Sequence, residues 1–140
     1  MADLSVTAAN CVPGSNANIV HGTAGETIAA GKAVYKSSST GKWMLADANA
    51  ASAEARGSDV NNVGVAICTS SLNQAISVVT GGDVTLGATM TAGLAYFLSD
   101  TPGGVCLPAD IGAGEYVVQL GLASSTTVLA LKPVYTGVSN

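Results

Sequence analysis

Few residues in this chain are of a type and spacing that could do acid, base or nucleophilic chemistry. His21 is the single histidine, so a serine–histidine–aspartate triad would have to use it, and no Gly-x-Ser-x-Gly nucleophile elbow occurs. The nine carboxylates are scattered one at a time, and nothing selects the pair that a glycosidase needs. The sequence therefore predicts no catalytic residue and a protein that is not an enzyme.

The residues that bind metals or cofactors are also sparse. Cys11, Cys68 and Cys106 are widely spaced and form no Cys-x-x-Cys pair, so neither a zinc site nor a disulfide framework is predicted. Cys68 and Cys106 lie within apolar strand patterns and are predicted to be small core residues. The glycine pairs at 81–82 and 103–104 lack the Lys-Ser/Thr of a phosphate-binding loop. We expect no metal and no cofactor.

The charge of the chain excludes two classes of partner. Only 10% of its residues are charged, where about a quarter is usual, and the net charge is −4. No basic patch is present for nucleic acid or anionic lipid, and no apolar run reaches the ~20 residues of a membrane span. The N-terminus lacks a signal-peptide pattern, which predicts synthesis in the cytosol. The low charge is typical of a protein that works within an assembly, and it also occurs in thermostable or secreted monomers.

The elements that must position these side chains are organised by an internal repeat. Residues 25–37 recur as residues 87–99, with six of 13 positions identical. Farther along, residues 63–66 (VGVA) match residues 120–123 (LGLA). The repeat unit is about 55 residues long. It occurs twice, and two copies are too few for a solenoid. It predicts a duplicated β-unit that closes one barrel or sandwich, and each copy is either half a barrel or a small barrel.

The repeat divides the chain into an N-terminal arm at residues 1–24 and a β domain at residues 25–140, with copies at about 25–81 and 87–137. Alternating apolar residues and frequent turn signals predict about ten short strands, the signature of an all-β sandwich or barrel. The glycines at 81–82 are predicted to form a turn between the copies. Pro133 predicts that the last strand lies at an edge.

Two local features complete the expected fold. Residues 47–57 are predicted to form a short helix, because Asp47 can cap its first turn, alanine dominates its interior and Gly57 can end it. Trp43, the single tryptophan, is predicted to anchor the core or its rim rather than to stack on a ligand.

The second copy resembles a known family. Its frame is AGLAYFL at residues 92–98, a glycine turn into Val105, and VVQLGLA at residues 117–123. This frame is similar to small bacteriophage structural proteins, above all the capsid decoration or cement proteins with a compact β-barrel, often called β-tulip. The short helix expected after Asp47 suits that family as well. The resemblance covers residues 25–136, and the tandem duplication departs from a single-barrel plan.

The resemblance implies a function in the virion. A protein of this family binds the outer surface of a filled phage head and stabilises the lattice of the major capsid protein, usually as a homotrimer. It would be made in the host cytoplasm and located on the capsid surface. Its N-terminal arm would add a strand to a capsid element. The apolar arm residues expected to contact the capsid are Leu4, Val6, Val12, Ile19 and Val20.

Three alternatives stay open at this point. A phage tail-fibre, baseplate or receptor-binding module, with or without glycan binding, has similar patterns, although the 4% aromatic content favours decoration. A small hydrolase is disfavoured by the missing motifs. The arm either packs on its own domain as an edge strand or reaches out to a neighbour. In the second case, deleting residues 1–20 would abolish particle binding and leave a folded protein.

Overall fold

The computed structural model describes residues 3–140, and it is built almost entirely of strands. Apart from the strands, the described residues contain three short 3-10 turns, at Ala8–Asn10, Val60–Asn62 and Pro108–Asp110. The predicted all-β fold is confirmed. The strands are β1 (Val12–Pro13), β2 (Asn18–Thr23), β3 (Ala33–Lys36), β4 (Trp43–Leu45), β5 (Val63–Ala66), β6 (Ala75–Thr85), β7 (Ala95–Leu98), β8 (Val105–Cys106), β9 (Tyr116–Ala123) and β10 (Val128–Ser139).

The strands form one antiparallel sheet that curls into a half-barrel. Their order is β4-β3-β5-β6-β10-β9-β7-β8, and β1 and β2 also pair with β6. The first copy supplies β3 to β6 and the second supplies β7 to β10. The strands of the first copy therefore form one half of the sheet and those of the second copy form the other half. The two halves join where β6 pairs with β10.

Equivalent hydrogen bonds recur in the two copies. The Gly31 N–H donates to the Ala66 carbonyl at 2.7 Å, and the Gly93 N–H donates to the Ala123 carbonyl at 2.7 Å. Each glycine has a positive φ, +88° and +86°, which suits the turn that leads into β3 or β7. The repeated sequence thus builds the same turn and the same strand contact twice.

Strand β6 joins the copies without a break, so the predicted turn at Gly81 and Gly82 is wrong. Before these glycines β6 pairs with β2 and β5, and after them it pairs with β1 and β10. Gly82 has a φ of +87°, and a Cβ there would lie 2.4 Å from the Asn16 carbonyl oxygen. The glycines let the strand bend past the arm instead of ending, so the last strand of the first copy runs on to pair with β10 of the second.

The helix predicted at residues 47–57 is also wrong, since this segment consists of turns and bends. Its first backbone groups are engaged elsewhere: the Ala48 N–H donates to the Ser99 carbonyl at 2.9 Å, and the Ala48 carbonyl accepts from the Tyr116 N–H at 3.0 Å. A helix of this length is marginal without strong packing, so these contacts between the copies prevail. Gly57 does adopt the expected left-handed conformation, with φ +86°.

Two apolar clusters hold the sheet together. The smaller one surrounds Trp43, which is 1% exposed, and this confirms its predicted role in the core. The larger one joins residues of both copies across the inside of the curled sheet. The smaller cluster consists of Ala24, Ile28, Val34, Trp43, Ala66, Ile76 and Val78.

Strand β10 changes from a central strand to an edge strand along its length. It pairs with both β6 and β9 as far as Leu131, and from Val134 onward β9 is its one strand partner among residues 3–140. The change occurs at Pro133, which cannot donate a backbone hydrogen bond. The edge predicted from Pro133 is therefore confirmed for the second half of this strand.

Candidate interaction surfaces

The N-terminal arm lies against the body of the protein and is seated on glycines. The Leu4 N–H donates to the Val105 carbonyl and the Thr7 N–H to the Gly87 carbonyl, each at 2.7 Å. A Cβ on Gly87 would lie 1.9 Å from the Thr7 carbonyl oxygen. Only a residue without a side chain allows the arm to approach this closely.

A second glycine, Gly31, also lies close to the arm. A Cβ on Gly31 would lie 2.4 Å from Cγ1 of Val6, whereas a Cβ on the repeat-equivalent Gly93 would meet nothing within 4 Å. Leu4 packs against the larger core, and Val6 is half-buried. These two predicted capsid contacts therefore lie largely against the protein's own body.

The other three predicted contacts differ in exposure. Val12 is 52% exposed and Ile19 is 38% exposed, while Val20 is half-buried and packs against the smaller core. The five residues therefore do not form one surface. Of the two alternatives for the arm, the structure has residues 3–24 packed on their own domain. Deleting residues 1–20 would remove β1 and part of β2, so a folded product is no longer expected. Capsid binding by Val12 and Ile19 stays a prediction.

One side of β2 is open. The strand pairs with β6 from Asn18 to Thr23, and no other strand of residues 3–140 pairs along its opposite side; a single parallel bridge follows it, between Ala24 and Trp43. His21 is exposed on this strand, and its Nδ1 lies 2.9 Å from Oγ of Ser77 on β6. Histidine and serine form a cross-strand pair here, without the carboxylate of a triad. An open edge of this kind can accept a further strand.

The most polar buried group is the carboxyl of Glu115, which is 4% exposed. One of its oxygens, Oε2, accepts from the Gly112 N–H. Burial raises the pKa of Glu115, hydrogen bonds from the backbone of Gly112 and Asp100 lower it, and the nearby carboxylates of Asp100 and Asp3 raise it further, so that the net shift is upward. This environment favours the neutral acid.

The surroundings of Glu115 indicate a structural role. The Glu115 carbonyl accepts from the Asn140 N–H at 2.7 Å, which fastens the end of the chain to this loop. A neighbouring cleft of about 260 Å³ is lined by Asp3 and Asp110 together with apolar and hydroxyl side chains. Among residues 3–140, no group of three or more His, Cys, Asp or Glu side chains could hold a metal ion.

The three cysteines are free thiols. Burial raises the pKa of Cys11 to about 11 and that of Cys106 to about 12, so both thiols are neutral at physiological pH and poor nucleophiles. Cys106 is 1% exposed, as predicted for a core residue. Cys68 is half-buried and packs against the smaller core.

A second candidate surface is apolar and was not predicted from the sequence. On the outer side of the second copy, Leu122 is 51% exposed and Val134 is 44% exposed. The repeat aligns Leu122 with Val65, and this alignment alone does not distinguish a core residue from an exposed one. The structure buries Val65 completely and leaves Leu122 in solvent.

Comparison with known proteins adds no relative. No protein-family model matches the chain, and no curated protein matches it. Within residues 3–140, no helix is long and apolar enough to cross a membrane.

Proposed function

We propose that this protein is a structural component of a phage virion that binds the outer surface of the head and stabilises the lattice of the major capsid protein. The observation that carries the proposal is the open edge of β2, with Ile19 exposed on it and Val12 exposed on the neighbouring β1. A capsid segment that pairs with this edge would gain backbone hydrogen bonds and cover both apolar side chains. The arm was expected to add a strand to a capsid element. In this proposal the capsid segment instead adds a strand to β2, which is already part of the sheet.

The small number of charges supports a lattice-binding role over a catalytic or nucleic-acid-binding one. The chain carries five basic and nine acidic residues in 140. A contact made of backbone hydrogen bonds and small apolar side chains needs few ions. Weak contacts of this kind become strong when many sites on one lattice are occupied by a linked oligomer. We propose an oligomer on the capsid surface for this reason, and the resemblance to decoration proteins implies a homotrimer.

The test is binding to heads assembled from the major capsid protein encoded in the same genome. Purified protein is mixed with expanded heads and sedimented, and the occupied positions are located by cryo-microscopy. Density on the outer capsid surface is the expected result. Density confined to the tail of complete particles would refute the proposal and favour a tail-fibre or receptor-binding module.

A matched pair of variants tests the strand edge itself. Ile19→Lys places a charge on the open edge of β2, and Leu72→Lys places the same charge on a turn residue that is 57% exposed. We expect Ile19→Lys to reduce head occupancy at least about tenfold, since edge lysines oppose strand addition, and Leu72→Lys to leave it unchanged. Equal occupancy for the two variants would contradict the role of β2.

A further inference from the structure

The outer side of the second copy carries an apolar face with no partner inside the chain. Cross-strand neighbours form two rows on this side, Ala95–Leu122–Ala130 and Phe97–Gln119–Val134. None of the six belongs to or packs against either core cluster, and none is charged. We call these six residues the second-copy face. Antiparallel sheets that face water normally carry polar residues there, so this composition is unusual for a solvent face.

The first copy shows what the equivalent residues do. Its corresponding row is Ala33–Val65–Val79, and all three side chains are fully buried in the larger core. Tyr35, the equivalent of Phe97, packs against the same core. This core also contains residues from the inner side of the second copy, namely Tyr96, Leu98, Val118, Leu120, Leu129 and Leu131. The side of the first copy that carries Ala33, Val65 and Val79 is therefore covered by the second copy.

Within residues 3–140, nothing packs the second-copy face into a core as the second copy does for the first. The residue types that bury the first copy against its neighbour are retained on the second-copy face, yet Leu122 remains 51% exposed. Charges beside the face are balanced, because Asp83 lies opposite Ala130 and Lys132 follows Ala130 by two positions. Two such faces brought together can set each Lys132 against the Asp83 of the other molecule.

We infer that the second-copy face is a self-association surface, covered by another copy of this same chain. The inference rests on the repeat and on exposure, and it does not depend on binding to a phage head. A contact between copies would cover Phe97, Leu122 and Ala130 as the contact within the chain covers Tyr35, Val65 and Val79, and it would also cover Val134. Without it, these apolar side chains would remain in water.

The experiment measures the mass of the isolated protein by light scattering and sedimentation across a wide concentration range. The wild-type protein should have a mass of at least twice the 13.7 kDa of one chain. Leu122→Glu should weaken self-association at least about tenfold, because it places an unpaired charge in the contact. Leu72→Glu is the matched control, since this leucine is similarly exposed, at 57%, but lies outside the face; its mass should equal that of the wild type.

A second variant and a check of folding distinguish lost self-association from misfolding. Val134→Glu changes an exposed residue on the edge half of β10, and cooperative melting with native Trp43 fluorescence would show that each variant is folded. A wild-type protein that stays monomeric at all concentrations would overturn the inference. An oligomer that keeps its mass in folded Leu122→Glu and Val134→Glu would overturn it as well. Loss of head binding by variants whose mass is unchanged would assign this face to the capsid instead.

Discussion

Docking of the arm on Gly31 can be separated from the backbone conformation of that glycine by using its repeat-equivalent, Gly93. Both residues have nearly the same positive φ, +88° and +86°. A methyl group on Gly31 would lie 2.4 Å from Val6, and a methyl group on Gly93 would meet nothing within 4 Å. Gly31→Ala and Gly93→Ala therefore share the conformational strain and differ in the contact with the arm.

The expected magnitudes follow from these two contributions. An alanine in the left-handed region costs about 1.5 kcal/mol, so both variants should lose that much stability. Gly31→Ala must also displace Val6, a half-buried side chain whose contact with the body contributes about 1 kcal/mol. We expect Gly31→Ala to be about 1 kcal/mol less stable than Gly93→Ala.

The assay is equilibrium unfolding in urea followed by the fluorescence of Trp43, which is buried in the smaller core. With a slope of about 2 kcal/mol per molar urea, the two midpoints should differ by about 0.5 M. Adding Val6→Ala to each variant makes room for the methyl group, so the difference between them should disappear. Equal midpoints for Gly31→Ala and Gly93→Ala in the wild-type background would refute docking of Val6 on Gly31.

Three further predictions concern other buried groups. Gly87→Ala should lower the free energy of unfolding by about 3 kcal/mol or more, because its methyl group would lie 1.9 Å from the Thr7 carbonyl oxygen. Gly81→Ala is the control, since its methyl group would meet nothing within 4 Å. Equal melting temperatures for the two variants would contradict this prediction. Since the pKa of Glu115 is raised in the fold, the stability that its neutral form contributes is complete below the ordinary value and is lost as pH rises through the folded pKa. Glu115→Gln should therefore melt higher than the wild type at neutral pH, with the gap closing in acid, and a gap that widens in acid would be the opposite of this expectation. In native protein at pH 8, a thiol reagent should modify Cys68 well before the two more deeply buried cysteines, and all three should react in urea; rapid modification of all three in the folded state would count against the described core.

The strands could be predicted from the sequence because their signals are local. Alternating apolar residues, turn signals and the repeat predicted about ten short strands in two copies, and Pro133 predicted an edge in the last strand. These features depend on residues close together in the chain. The repeat then located the same turn at Gly31 and Gly93 without knowledge of the fold.

Other features depend on contacts between distant parts of the chain and could not be read locally. Residues 47–57 have helical composition, but the backbone of Ala48 bonds to Ser99 and Tyr116 in the other copy. The glycines at 81–82 are typical of a turn, but β6 continues through them because it pairs with β5 of the first copy on one side of them and with β10 of the second copy on the other. In each case tertiary hydrogen bonds prevail over a local preference of roughly 1 kcal/mol or less per residue.

The candidate surfaces were the hardest part to predict. Exposure decides whether an apolar residue is a core residue or a contact residue, and Val65 and Leu122 have the same sequence context with opposite exposure. The difference arises because the second copy covers this side of the first copy, while the equivalent side of the second copy joins no core cluster of residues 3–140. Sequence patterns identify a face that is apolar, while only the arrangement of the copies identifies the face that is free.

The docking of the arm also has a consequence for how the protein is made. The backbone partner of Leu4 is Val105 in the second copy, which is synthesised much later than Leu4. This part of the arm in a nascent chain therefore stays unpaired until the second copy has been synthesised as far as Val105. Contacts so distant in sequence form slowly, and an unpaired strand can be captured by the body of a neighbouring chain on the same polysome. Arm exchange between chains during synthesis is thus a route by which this fold can generate intertwined oligomers.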